Sequence, residues 1–205
     1  MSFRRGLIQK WNTQDWTGVQ KVARDAKYRR ISITLAPDGS YAAGIPHVVE
    51  RGVETPVVPV IWKLDVIEDK NPTKLNLPKK NYHSVLFSPD GNFLACRSSD
   101  DVVTIMHKVK NRWGKIEWRQ LTELIIHRGD HISSMSFSSD GSYFACGTSE
   151  GVVRVYATNG WKEITRYTLR NKISSMAFSS DNRYLAVGFS GDKASGIDVR
   201  RVERK

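Results

Sequence analysis

An all-β fold of repeated four-stranded sheets set side by side around an axis is predicted by three observations. An apolar strand runs into the same tight turn four times, at Ala36-Pro37-Asp38-Gly39, Ser88-Pro89-Asp90-Gly91, Ser138-Ser139-Asp140-Gly141 and Ser179-Ser180-Asp181-Asn182, and a short strand follows each turn. The four aspartates stand 52, 50 and 41 residues apart, close to the roughly 40 to 50 residues of one blade of a β-propeller. The third copy resolves into four strands in succession, which is one blade. Such a fold is built to bind, because rigid sheets hold its loops in place.

Taken in order, residues 6–11 and 17–22 read as the third and fourth strands of a blade that lacks its first two. In the first full repeat the loop between the second and third strands is stretched, from Gly44-Ile45-Pro46-His47 to Glu50-Arg51-Gly52-Val53-Glu54-Thr55-Pro56, before residues 57–64 resume extended structure. In the second repeat a basic turn, Lys108-Val109-Lys110-Asn111-Arg112-Trp113-Gly114-Lys115, separates residues 104–107 from 116–126. In the third, Ile132 to Phe137 alternates, Asp140-Gly141 supplies residues that tolerate a left-handed backbone, and strands at 143–147, 152–156 and 162–169 follow. Residues 173–178, 184–189 and 196–202 give three strands and no clear fourth. One region, 1–205, is therefore expected to hold a partial blade 1–27, blades 28–80, 81–128 and 129–170, and a partial blade 171–205.

The motifs that carry this reading resemble the WD40 repeat. Phe87-Ser88-Pro89-Asp90-Gly91, Phe137-Ser138-Ser139-Asp140-Gly141, the Ser149-Glu150-Gly151 turn before Val152, and Gly6-Leu7-Ile8-Gln9-Lys10-Trp11-Asn12 all look like that family's, in register over nearly the whole chain. The resemblance implies an all-β, WD40-like β-propeller arc of about four blades. The family most often closes with seven, so the arc is expected to be incomplete, finished by a longer polypeptide or by another chain. Departures accompany the likeness. Only Trp11 keeps the tryptophan ending a third strand, Met106 and Tyr156 standing in its place in the second and third copies, and Gly-His survives only as Ile126-His127. The polar network of regular members is then incomplete, and these blades are expected to lean on apolar packing. A local likeness to histone-chaperone propellers runs through Trp11 to Trp16, Arg29 to Ser32 and Ala36 to Tyr41.

Composition bounds the function. With 205 residues, 40% hydrophobic, the chain can bury a core, and no apolar run is long enough for a membrane helix, so an intracellular location is expected. Cys96 and Cys146 occupy the same point of successive repeats and read as small packing residues. A net charge of +11 favours an acidic partner, nucleic acid included, although no basic cluster is interleaved with aromatic residues as a stacking platform would be. Phe3-Arg4-Arg5-Gly6 matches the letters of the PROPPIN phosphoinositide signature but leads into a third strand instead of a first, so membrane binding is not expected. No nucleophile elbow, phosphate loop, dinucleotide fingerprint or zincin motif occurs, and the five histidines are scattered, so no enzyme activity, cofactor or metal is expected. The residues expected to meet a protein partner are Arg51 and Glu54 in the stretched loop, and Lys110, Arg112, Trp113 and Lys115 in the basic turn.

Overall fold

The computed structural model of the chain describes residues 6–10, 20–25, 28–50, 53–56, 58–64, 73–78, 80–126, 129–191 and 194–202. Among them there is no helix. A two-stranded ribbon comes first, β1 (Gly6–Lys10) with β2 (Gln20–Asp25). The next sheet has the order β3 (Tyr28–Leu35), β4 (Tyr41–Glu50), β6 (Val60–Lys63) and β7 (Thr73–Lys74), with β5 (Val53–Pro56) paired to the far end of β4. A four-stranded sheet follows, β8 (Tyr82–Phe87), β9 (Phe93–Ser98), β10 (Val102–Lys110) and β11 (Ile116–Ile125). A second comprises β12 (Ile132–Phe137), β13 (Tyr143–Thr148), β14 (Val152–Ala157) and β15 (Lys162–Thr168). The last has three strands, β16 (Lys172–Phe178), β17 (Tyr184–Ser190) and β18 (Ser195–Arg201). All pairing is antiparallel, and the sheets stand as the blades of a β-propeller arc that is not closed: no strand pairing joins the ribbon to the last sheet among the described residues.

The recurring turn folds for a local reason. The Ser138 hydroxyl donates to Asp140 Oδ1 (2.7 Å) and accepts from the Tyr143 amide (2.8 Å), while Asp140 also accepts from the Ser142 amide (3.0 Å). Ser179 repeats the pattern with Asp181 (2.6 Å) and Tyr184 (3.0 Å), and Ser88 with Asp90 and the Phe93 amide (2.9 Å). In the first repeat Ala36 replaces the serine, and Asp38 takes the Ser40 hydroxyl (2.6 Å) and amide (3.0 Å) instead. Those Ser40 bonds hold the Asp38 carboxyl below the usual range, and the Ser179 hydroxyl with the Arg183 amide and side chain brings Asp181 to about 2. Gly141 at φ +72° and Asn182 at +58° occupy the left-handed region that the turn requires.

Packing follows from strand alternation. In β9, Leu94 and Cys96 point into the core shared with the preceding sheet, and Ala95 into the core shared with the next. In β13, Phe144 and Cys146 face back while Tyr143 and Ala145 face forward. These two blades thus each contribute to two inter-blade cores, and both cysteines are free, fully buried members of them. Met106, midway along β10, and Tyr156, near the end of β14, are buried at 0% and 5% exposure in these apolar clusters.

Three expectations are corrected. The stretched segment after Gly44 is not an irregular loop, because β4 runs on to Glu50 and β5 folds back on it with Val49 opposite Glu54. Pro46 falls between the β6 pairing, which ends at Gly44, and the β5 pairing, which begins at His47, so it takes part in neither, while on its other side it stands opposite Ile31 of β3. Of the strand expected at 17–22, residues 17–19 lie outside the described residues and 20–22 fall in β2, which runs on to Asp25, a polar end that read as loop. The basic turn is shorter than expected, since β10 continues through Lys110.

Candidate functional site

The expected site residues fall at opposite ends of the sheets. Arg51 lies outside the described residues; Glu54 lies in β5, at the end of its blade remote from the Asp38-Gly39 turn. Lys110, Arg112, Trp113 and Lys115 come together at the tip of the β10–β11 hairpin, on the Asp90-Gly91 side, where Lys108 N bonds to Asn92 O at 2.8 Å. The hairpin outruns its sheet, for β9 pairs with β10 only as far as His107.

A side chain that the motif reading passed over holds this tip. Asn111 Oδ1 accepts from the amides of Trp113 and Lys115, both at 3.0 Å, and its Nδ2 donates to Glu117 Oε1 (2.7 Å). Arg119 donates to the other Glu117 oxygen at 3.0 Å. Asn111 first and Arg119 second hold the Glu117 carboxyl below the ordinary carboxylate range. Gly114, at φ +78°, makes the reversal. The signal was present, because asparagine two residues before the turn's middle is a local backbone cap. Arg112 lies over the Trp113 ring, 4.0 Å from its centroid, and the indole is 74% exposed. The tip borders an open cleft of about 390 Å³ lined by Val109, Asn111, Arg112, Trp113, Glu117 and Arg119.

A second exposed feature has no counterpart in the motifs. In β13 and β14, Tyr143, Ala145, Val153 and Val155 form the forward core and are at most 9% exposed. The pairing register places Tyr184, Ala186, Ile197 and Val199 of the last sheet at the same four positions. There, Ile197 is 75% exposed, Val199 60% and Tyr184 43%. A face that is core in one blade is open in the next.

Among the described residues no three His, Cys, Asp or Glu side chains stand close enough to hold a metal, and no helix is long and apolar enough to cross a membrane. Asp100 is tied to Lys80 at 3.0 Å, and Asp101, 5% exposed, accepts from the Gly129 amide at 2.9 Å, so both acids of that turn serve the connection between blades.

Comparison with known proteins agrees with this geometry. The family described as WD domain, G-beta repeat matches residues 118–157 and 163–194. Each match starts in or just before the outer strand of one sheet, β11 or β15, and continues into the next, so the sequence repeat staples neighbouring blades. No curated protein sequence matches the chain. The β-propeller domain of Cps50 (Swd1) from Myceliophteria thermophila is 12% identical, with a TM-score of 0.61 over 90% of this chain and 55% of that one. Sqt1 from Chaetomium thermophilum is 19% identical, with a TM-score of 0.66 over 83% of this chain and 43% of that one. At these identities the likeness is one of fold, and the chain spans about half the length of the solved chains it matches. The chain carries WD40 repeats, and its described residues form the β-propeller arc that such repeats build.

Proposed function

We propose that the chain is a non-enzymatic protein-interaction scaffold within a larger intracellular assembly. The observation that carries this reading is the open face of Tyr184, Ala186, Ile197 and Val199, which occupies the register of a buried inter-blade core. Burying it would remove apolar surface from water at about 25 cal/mol per Å², and a further β-sheet packs there as β16 and β17 pack on β13 and β14. The β10–β11 tip supplies a second contact, since an exposed tryptophan braced by a cation on a rigid hairpin loses little entropy on binding. A second reading rests on the net charge of +11 and on Lys110, Arg112 and Lys115 beside Trp113: a nucleic-acid or chromatin-associated module.

Crosslinking separates the two. With a photo-crosslinking amino acid in place of Trp113, discrete adducts destroyed by protease and indifferent to nuclease are expected. Adducts that collapse on nuclease treatment would instead establish the second reading. Trp113→Ala should change stability by less than about 0.5 kcal/mol, as measured by thermal melting, because the ring packs on nothing but Arg112 among the described aromatic and cation contacts.

A further inference from the structure

Arg97 breaks the repeat at a position where the two following blades have glycine. It stands opposite Ser84 in the β8–β9 pair, just as Gly147 stands opposite Ser134 and Gly188 opposite Ser175. Glycine at 147 lets the next blade close in, for a Cβ there would lie 2.6 Å from Ile173 Cγ2. Arg97 cannot permit that approach. Its side chain reaches across to the following blade, where Nη1 donates to the carbonyl of Ile132, the residue that matches Ile173. The inner strands β12 and β16 lie close together, whereas β8 and β12 make no comparable approach. The result is a cleft of about 210 Å³ between the two blades, lined by Ser84, Leu86, Arg97, Ser133, Ser134 and Met135.

Within this cleft the guanidinium is underused. Its Nε is buried and has no hydrogen-bond partner among the described residues. The two carboxylates that follow it in the chain are engaged elsewhere. Asp100 is held by Lys80, and Asp101 by the Gly129 amide and, at 3.5 Å, by His131. Burial, then the charges of Arg97, His47 and His131, hold the His83 pKa below its ordinary value. A cleft walled by Ser84, Leu86 and Arg97 of one blade and by Ser133, Ser134 and Met135 of the next combines hydroxyls, a guanidinium and apolar side chains, and suits a short apolar stem ending in an anion.

We propose that this cleft accepts the carboxylate of an aspartate or glutamate side chain from an acidic segment of a protein partner, with Arg97 as its anchor. The proposal rests on the protein-interaction reading and gives one such contact its chemistry. It lies at the opposite end of the blade from Trp113, because β9 runs from Phe93 beside the Asp90-Gly91 turn to Ser98 at the far end.

The test is fluorescence anisotropy on the whole chain, with labelled octaglutamate as the probe and octaglutamine and octauridylate for comparison. Octaglutamate is expected to bind and octaglutamine not. Arg97→Met should weaken octaglutamate binding about tenfold to a hundredfold, the range of one charge-assisted hydrogen-bonded pair. Lys162→Met, which removes one exposed charge elsewhere, should stay within about twofold. Equal weakening by the two variants would overturn the proposal by showing only diffuse attraction, and octauridylate binding that depends on Arg97 more than octaglutamate binding does would overturn the carboxylate in favour of a phosphate. If Arg97→Met melts below the assay temperature, Arg97→Lys decides. A loss of about threefold or more supports a guanidinium anchor, and a smaller one overturns it. The peptide assay needs no natural partner, so its outcome is independent of the crosslinking result at position 113.

Discussion

Phe144→Ala is expected to lower the free energy of unfolding by about 3–5 kcal/mol, the range for removing a large buried aromatic side chain. Phe144 is fully buried between two blades. Its ring lies 4.9 Å from Phe137, 5.8 Å from Trp161 and 6.4 Å from Tyr156, centroid to centroid. These partners sit on separate strands and on a turn, so the surrounding structure cannot collapse around the missing ring without moving several elements. Equilibrium urea unfolding provides the measurement. Tyr184→Ala provides the contrast: that ring is 43% exposed on the open face, and its loss should cost no more than about 1 kcal/mol. Equal losses from the two substitutions would show that the last face is covered in solution even without a partner.

Gly151→Ala should be nearly as damaging, for a backbone reason. Gly151 turns the chain from β13 into β14 at φ +84°, and a Cβ added there would lie 2.1 Å from the Leu169 carbonyl oxygen and 2.8 Å from that of Asn171. Both obstacles are backbone, and Leu169 N is itself bonded to Gly151 O at 2.9 Å, so neither can rotate aside. A cost of about 2–4 kcal/mol is expected, combining left-handed strain with displacement of the strand that leads into the next blade. Gly160 shares φ +84° but has nothing within 4 Å, and Gly160→Ala should cost only about 1 kcal/mol. Thermal melts of the two variants side by side separate crowding from conformational preference.

The contrast between local and distant causes explains what could be read from the chain. The Ser-x-Asp-Gly turns were legible because their hydrogen bonds close within five residues: Ser138 needs only Asp140 and Tyr143. The strands of the third copy were legible because turns bound them, Ser138 to Gly141 after Ile132 to Phe137 and Ser149 to Gly151 before Val152 to Tyr156. The β4–β5 hairpin was not, since Gly44, Pro46 and Glu50 look like breakers, and only their partners in space keep them in a strand: Gly44 pairs with Val60, Glu50 with Val53, and Pro46 falls in the gap between the two pairings. At the candidate sites, the exposure of Trp113 was legible from its basic, turn-forming neighbours. The Arg97 cleft was not, because Arg97, Ile132 and the Gly147–Ile173 contact belong to three blades and meet only through the stacking register. The open face escaped for the same reason. Ile197 and Val199 differ little in character from Val153 and Val155, and only their neighbours in space distinguish them.

The account stands or falls on whether that last face behaves as an exposed blade interface. Size-exclusion chromatography with multi-angle light scattering on the purified chain at micromolar concentration measures this directly. A mass above 23.3 kDa is predicted for the unaltered chain, falling to 23.3 kDa when Ile197→Asp and Val199→Asp place charge on the open face. A stable, monodisperse monomer of 23.3 kDa for the unaltered chain would contradict it.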